Sequence, residues 1–209
     1  VRRQRQMCIR DRFTEEHFCW IEEQIKKAYE AGVEIIVTPE LSLTGYTCGD
    51  MFLQDKLVKD SIIGLEYVLS ETKSLNIISI IGMPISTNNA LFNCGVVINR
   101  GKLLGIIPKT YIPNYKEFYE CRWFSSSLNL DINEIELLGQ KVPLGCDLLF
   151  QDRKNPNITF AIEICEDLWA VTPPSNDYAK SGATIIFNLS SSNELIGKHN
   201  YRKNLISSQ

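Results

Sequence analysis

Cys165, Glu40 and Lys109 are the residues of this sequence whose types and settings could perform covalent chemistry together. Cys165 lies in Ala161-Ile162-Glu163-Ile164-Cys165-Glu166-Asp167-Leu168, where a near-continuous apolar run over 158–164 stops at a thiol followed by two carboxylates and Trp169. Such a run reads as a buried strand, and reactive groups on α/β scaffolds gather at strand ends. Glu40 follows the short apolar run 33–37, within Pro39-Glu40-Leu41-Ser42-Leu43-Thr44-Gly45-Tyr46. Lys109 follows the run 103–107, in Pro108-Lys109-Thr110-Tyr111. A thiol needs a base or a lowered pKa to attack a carbonyl, and a nearby carboxylate can accept its proton. The oxyanion that forms needs fixed donors, which an ammonium and the backbone N–H after the nucleophile can supply. Each residue also has an ordinary reading. Free cysteines are commonly inert core residues, and loop glutamates and lysines are commonly solvated.

The elements that would position these groups alternate along the chain. Phe18, Ile21, Ile25 and Ala28 recur at helical spacing, with Thr14 as N-cap and Gly32 as the stop. A strand is expected over 33–37. A helical region spans about 50–75, with an interruption near 59–61, and a strand over 77–83 is closed by Pro84. The runs 94–98 and 103–107 flank Asn99-Arg100-Gly101-Lys102 as a hairpin. The stretch from Pro108 to Gly145 lacks clear periodicity and reads as a long functional loop. Residues 147–150 and 158–164 form a strand pair around Asn155-Pro156-Asn157; a helix near 176–181, a strand over 183–189 and a helix from Asn200 complete the order. The pattern predicts a mixed sheet with helices on a face, in an α/β or α+β class, with the three strand ends meeting at one rim.

Composition narrows the classes. At 209 residues, 44% hydrophobic and 22% charged, the chain is that of an ordinary globular domain able to bury a core. Its seven cysteines stand singly, with no CxxC pair, which argues against a disulfide framework or a zinc ribbon and for a reducing compartment. A metal site built on Cys165, His17 or His199 lacks ligand spacing. No apolar run approaches a membrane span and no signal peptide is visible, so a cytoplasmic location is expected, with no membrane partner. The first twelve residues carry five arginines against one aspartate, a local +4 in a chain of net charge −3, leaving −7 for the rest. Without aromatic interleaving this does not read as nucleic-acid binding; residues 1–12 are expected to be a non-native basic tail, ahead of one domain over 13–209.

Three segments, PELSLTGY, PKTYIPNYKEFYE and EICEDLW, resemble in order the three motifs of the nitrilase, or carbon–nitrogen hydrolase, superfamily. More narrowly, the chain resembles the glutamine amidohydrolase domains of the glutamine-dependent NAD+ synthetase family. Tyr46-Thr47-Cys48-Gly49-Asp50-Met51-Phe52, the loop Tyr115-Lys116-Glu117-Phe118-Tyr119-Glu120 with Arg122-Trp123-Phe124, Val142-Pro143-Leu144-Gly145 and Asn188-Leu189-Ser190-Ser191-Ser192-Asn193-Glu194 carry that narrower likeness. The resemblance implies an α-β-β-α sandwich and a Glu–Lys–Cys triad of Glu40, Lys109 and Cys165. It implies that Cys165 forms a glutamyl thioester, that Glu40 is the general base, and that Lys109 and the Glu166 N–H hold the oxyanion. Tyr46, Tyr115, Phe118, Glu166 and Ser192 match its glutamine-recognising positions. A carboxylate suits glutamine's α-ammonium and a hydroxyl its α-carboxylate, while Tyr115 and Phe118 could equally be loop packing.

The implied partners are L-glutamine, a synthetase domain of the same polypeptide that receives the ammonia, and a second copy of the chain in a homo-oligomer. ATP and Mg2+ are implied for that synthetase domain and not for these residues, which contain no SGGxxS-type pyrophosphatase loop. The domain is expected to be incomplete at both ends. Two readings stay open beside this one: an amidase acting on another small amide or carbamoyl compound, and a silent docking module.

Overall fold

The computed structural model describes residues 15–209, with side chains from Phe18 onward. The basic tail, the Thr14 cap and the His17 side chain lie outside the described residues. Helix α1 (Glu15–Glu30) buries Phe18, Ile21 and Ile25 as their spacing predicts, and ends at Gly32, whose φ is +76°. Strand β1 is short (Ile35–Val37). A 3-10 segment (Tyr46–Leu53) precedes helix α2 (Asp55–Thr72).

Helix α2 has no interruption near 59–61, contrary to expectation; the break falls at Gln54, which is extended. Lys59 and Asp60 are the solvent arc of one helix, paired four residues away with Asp55 and Lys56, while the Ser61 hydroxyl donates to the Val58 carbonyl. Strands β2 (Ile78–Thr87), β3 (Ala90–Asn99) and β4 (Lys102–Pro108) follow. Pro84 does not close β2. Strand β1 pairs only with residues 78–80, so beyond that point β2 has one strand neighbour, and a proline without an N–H is tolerated on the free side. The β3–β4 turn is the predicted one, with Arg100 and Gly101 at φ +49° and +73°.

The long stretch after Pro108 is not structureless. It contains 3-10 turns at Glu120–Arg122 and Ser127–Asn129, and a hairpin of β5 (Glu134–Leu137) and β6 (Gln140–Pro143). Leu138 and Gly139, at φ +49° and +71°, make its turn, a signal present in the sequence as Leu-Gly between alternating residues. Strand β7 is only Phe150–Gln151, and β8 is Thr159–Ile164. A 3-10 turn (Cys165–Trp169), helix α3 (Pro174–Lys180), strand β9 (Ile185–Leu189) and helix α4 (Lys198–Ser208) complete the chain.

Besides the two-stranded β5-β6 hairpin, the described residues form two larger sheets, in orders β1-β2-β3-β4 and β7-β8-β9. Ile80, Val97 and Ile107 of the first pack against Phe160, Ile162 and Leu189 of the second. On the other face of the first sheet, Ile81, Met83, Cys94 and Val96 meet Ile21, Ile25, Leu65 and Val68 of α1 and α2. Helix α3 covers β8 through buried Tyr178, which donates to the Cys146 carbonyl at 2.7 Å. The arrangement is the expected α-β-β-α sandwich. The three reactive strand ends, however, are not neighbours in one sheet. Strands β1 and β4 are the outer strands of the first sheet and β8 belongs to the second, so the site forms where two sheets meet.

Candidate active site

Glu40 reaches the centre because the chain after β1 folds back over β2. Thr38 donates its N–H to the Ile80 carbonyl at 2.9 Å, and its hydroxyl accepts from the Gly82 N–H at 3.1 Å. The turn Pro39-Glu40-Leu41 then lies directly on Gly82, where a Cβ would stand 2.4 Å from the Pro39 carbonyl oxygen and 2.6 Å from the Leu41 nitrogen. Only glycine allows that approach. Leu41 takes φ +50° to complete the turn, and the Glu40 side chain is thrown across β2 towards β3. There Asn93 donates Nδ2–H to Glu40 Oε1 at 2.8 Å.

Lys109 arrives from the end of β4, its backbone N–H bonded to the Asn93 carbonyl at 2.8 Å. Its Nζ donates to Glu40 Oε1 at 2.6 Å and to both oxygens of Glu120 at 2.8 Å. Lys109 is 0% exposed, Glu40 1% and Glu120 2%, so one ammonium lies between two carboxylates away from water. Burial alone would pull the lysine down, but Glu40 and Glu120 outweigh it and hold the ammonium above the ordinary lysine value. Burial pushes Glu120 up, with the Lys109 charge opposing. The Tyr46 hydroxyl donates to Glu120 Oε1 at 2.7 Å; burial and the two glutamates hold it far above its usual value, fixing it as a donor.

Cys165 stands at the first step out of β8 with φ +47°, a left-handed conformation rare outside glycine, which turns the chain into the 3-10 segment and aims the thiol off the strand axis. It is only 5% exposed. Burial, followed by the Glu40 charge, pushes the thiol up to about 12, against the pull of Lys109 and the Ser190 hydroxyl. Two consecutive serines after β9 join thiol and carboxylate: Ser190 Oγ donates to Cys165 Sγ at 3.4 Å, and the Ser191 N–H donates to Glu40 Oε2 at 3.1 Å. Glu40 Oε1 therefore serves Lys109 and Asn93, while Oε2 carries one donor and keeps a lone pair for a proton.

The same turn carries buried Asp167. Its Oδ1 accepts the N–H groups of Thr110 at 3.1 Å and Tyr111 at 2.7 Å, and its Oδ2 accepts that of Ile164 at 2.9 Å. One carboxylate thus ties the Lys109 segment to the Cys165 turn. Burial pushes it up to about 7 despite these bonds.

The five positions expected to recognise substrate lie around this centre. Tyr115 and Phe118 meet edge to face at 5.7 Å between centroids, and the Tyr115 hydroxyl lies 3.0 and 2.9 Å from the two Glu166 oxygens. Ser192 accepts from Lys198 Nζ at 2.6 Å, and its N–H donates to Ser190 Oγ at 3.2 Å. Tyr46 sits deeper, on Glu120. Glu120, Asn93, Ser190, Ser191 and Asp167 were not singled out by sequence reasoning. Glu120 ends the PKTYIPNYKEFYE segment and Asp167 lies inside EICEDLW, and Asn93 was visible as a lone amide within an apolar strand. The serines gave no signal beyond their place in the Leu189–Asn193 segment. Among the described residues no group of three or more His, Cys, Asp or Glu side chains converges as a metal donor set, and no helix is long and apolar enough to cross a membrane.

A family model described as carbon-nitrogen hydrolase matches residues 3–203. The chain is 36% identical over 181 residues to a glutamine-dependent NAD(+) synthetase from Mycobacterium tuberculosis, covering 85% of this chain and 26% of that protein. It is 32% identical over 193 residues to one from Oryza sativa subsp. indica, covering 87% of this chain and 25% of the relative. It thus spans about a quarter of the length of these relatives. Among solved structures, a glutamine-dependent NAD(+) synthetase from Cytophaga hutchinsonii superposes with TM-score 0.79 at 28% identity, over 93% of this chain and 31% of that one. An amidase of the nitrilase superfamily from Nesterenkonia superposes at 0.69 with 13% identity, over 93% of this chain and 65% of that one, a likeness of fold.

Proposed function

Because this chain belongs to the carbon–nitrogen hydrolase family, we propose that it hydrolyses the side-chain amide of L-glutamine through a thioester on Cys165. The observation that carries this reading is the buried Glu40–Lys109–Glu120 array joined to the Cys165 thiol through Ser190 and Ser191. A thiol pushed up to about 12 is protonated at neutral pH, so attack has to be coupled to proton removal. Glu40 Oε2 takes that proton as Sγ bonds to the amide carbon. The oxyanion is met by the Lys109 ammonium and the Glu166 N–H. Glu40 returns the proton to the amide nitrogen, the carbon–nitrogen bond breaks, and ammonia leaves. Glu40 then takes a proton from water, hydroxide adds to the thioester, and glutamate departs as the proton returns to sulfur. Glu120 and Tyr46 keep Lys109 charged and placed. Glu166 receives the α-ammonium of glutamine, Ser192 its α-carboxylate, and Tyr115 with Phe118 closes over its methylenes.

The ammonia serves a synthetase domain of the same polypeptide, in line with the relatives named above, and ATP and Mg2+ belong to that domain. Ammonia release measured on glutamine against short aliphatic amides and carbamoyl compounds tests the reading. Preferred turnover of glutamine is expected, and faster turnover of simple amides would overturn it in favour of a general amidase.

A further inference from the structure

Behind the nucleophile lies a buried carboxyl that the reaction does not use. Side chains alternate along β8, so Phe160 and Ile162 face the first sheet while Glu163 faces α3. Asn188 is its register partner on β9 and donates Nδ2–H to Glu163 Oε1 at 3.1 Å. Glu163 is 2% exposed, and among the described residues no cation pairs with it. Its other oxygen, Oε2, and the Ser175 hydroxyl in the first turn of α3 are both buried and, among the described residues, both without a hydrogen-bond partner. Ser175 faces that carboxyl.

The two unpaired atoms account for each other when the carboxyl is neutral. An ionised carboxylate offers acceptors only, and its burial without a cation is costly. A carboxylic acid carries one O–H donor. With the proton on Oε2, Glu163 donates to Ser175 Oγ while Oε1 goes on accepting from Asn188. The surroundings favour that form. Burial pushes Glu163 up, with Asn188 and Ser175 opposing. The titratable groups facing it are Asp167 from the turn after β8 and Tyr178 from α3, neither of them a cation. Strand β9 has no titratable residue, and Asp177 and Lys180 of α3 pair with each other in solvent.

This carboxyl sits two residues ahead of the chemistry on one strand, and Asn188 two residues ahead of it on the next. Beyond the pair Ile164↔Leu189 the two strands deliver Cys165 and Ser190, whose hydroxyl donates to the thiol at 3.4 Å. Ser191 follows, with its N–H on Glu40 Oε2 at 3.1 Å. Strand β9 pairs with β8 alone, so ties to β8 and α3 decide where its end lies.

We propose that Glu163 is a positioning residue: as a neutral acid bonded to both Asn188 and Ser175, it locks the end of β9 to β8 and α3 and so holds Ser190 on the Cys165 thiol and Ser191 on the Glu40 carboxylate. Its effect on rate rests on the hydrolytic reading of the site; its protonation does not.

The test compares Glu163→Gln, which keeps an acceptor for Asn188 and a donor for Ser175, with Glu163→Met, which keeps the length and neither bond. In Glu163→Met, kcat for ammonia release from glutamine is expected to fall about 10-fold, the equivalent of one lost buried hydrogen bond. KM is expected to change less than about twofold, because Glu163 does not reach substrate. Glu163→Gln is expected to restore most of kcat. The infrared difference spectrum of wild type minus Glu163→Gln at neutral pH should show the carbonyl band of a protonated carboxyl. Ser175→Ala, a milder truncation, should shift that band towards a free acid and keeps the test open should Glu163→Met not fold. Equal losses in the Gln and Met variants would mean that the negative charge is required and would overturn the neutral clamp, as would a missing band or one that Ser175→Ala leaves in place. Wild-type kcat in a folded Glu163→Met would overturn the positioning role. A wild type that releases no ammonia from glutamine would overturn the hydrolytic reading instead, and the infrared band, which needs no turnover, still decides the clamp.

Discussion

The Asp167 carboxylate accepts the Tyr111 backbone N–H at 2.7 Å across 56 residues of sequence, joining the loop that carries Lys109 to the turn that carries Cys165. The same side chain, pushed up to about 7 by burial, gives the site a pH-sensitive tie. A folded-state value raised above the ordinary carboxylate value near 3.9 means that the native state holds a proton which the unfolded chain releases. Stability from this group is therefore present in full at low pH and declines as pH rises from about 4 to about 7, by up to about 1.4 kcal/mol per pH unit. Glu120 and Glu163 are pushed up as well and slope the same way, so the contribution is read by difference. Asp167→Asn should flatten part of the fall in urea-unfolding free energy between pH 5 and pH 7. An identical slope in the variant would refute the assignment.

Cys165 should show a reversal of reactivity between reagents. With its thiol pushed up to about 12 and only 5% exposed, it should react with iodoacetamide at pH 7.5 more slowly than exposed Cys19 and Cys121. A glutamine-shaped electrophile, which can use Glu40 as base, should label Cys165 first. Peptide mass mapping reads both orders. Cys165→Ala should abolish ammonia release at a stability change within about 1 kcal/mol, since alanine inherits the same backbone strain.

Glu120→Gln tests the second carboxylate. The Lys109–Glu40 contact survives, but the ammonium loses the two 2.8 Å bonds to an anion and the Tyr46 hydroxyl loses its charged acceptor. A fall in kcat of about 10²-fold is expected, with KM changed far less, because in the proposed mechanism Glu120 holds the oxyanion donor and does not contact substrate. A loss confined to KM would move Glu120 to substrate binding.

Gly82→Ala isolates the path of the chain. The new methyl would meet the Pro39 oxygen at 2.4 Å and the Leu41 nitrogen at 2.6 Å, both backbone atoms, so the Glu40 turn has to lift. Destabilisation of about 1–3 kcal/mol is expected from overpacking, together with loss of activity at temperatures where circular dichroism still reports a native fold. Full activity in a folded variant would show that the turn can move without consequence.

How much of this was legible beforehand follows from the range of each interaction. The helical face Phe18–Ile21–Ile25, the stop at Gly32 and the Arg100–Gly101 turn are encoded by residues within about four positions of each other, where period and backbone preference act. The placement of three reactive groups at strand ends was equally local, because each follows an apolar run. The sequence therefore determined which side chains could react and which elements would carry them. It misjudged Pro84 and the segment near 59–61, where a neighbouring strand and a solvent-facing arc decide, and it left the β5–β6 hairpin unrecognised. The partners themselves were decided only in three dimensions. Glu40 meets Lys109 across 69 residues, Asn93 across 53 and Ser191 across 151. Contacts of that length depend on how two sheets pack and on where a glycine lets one chain cross another, and no local pattern encodes either.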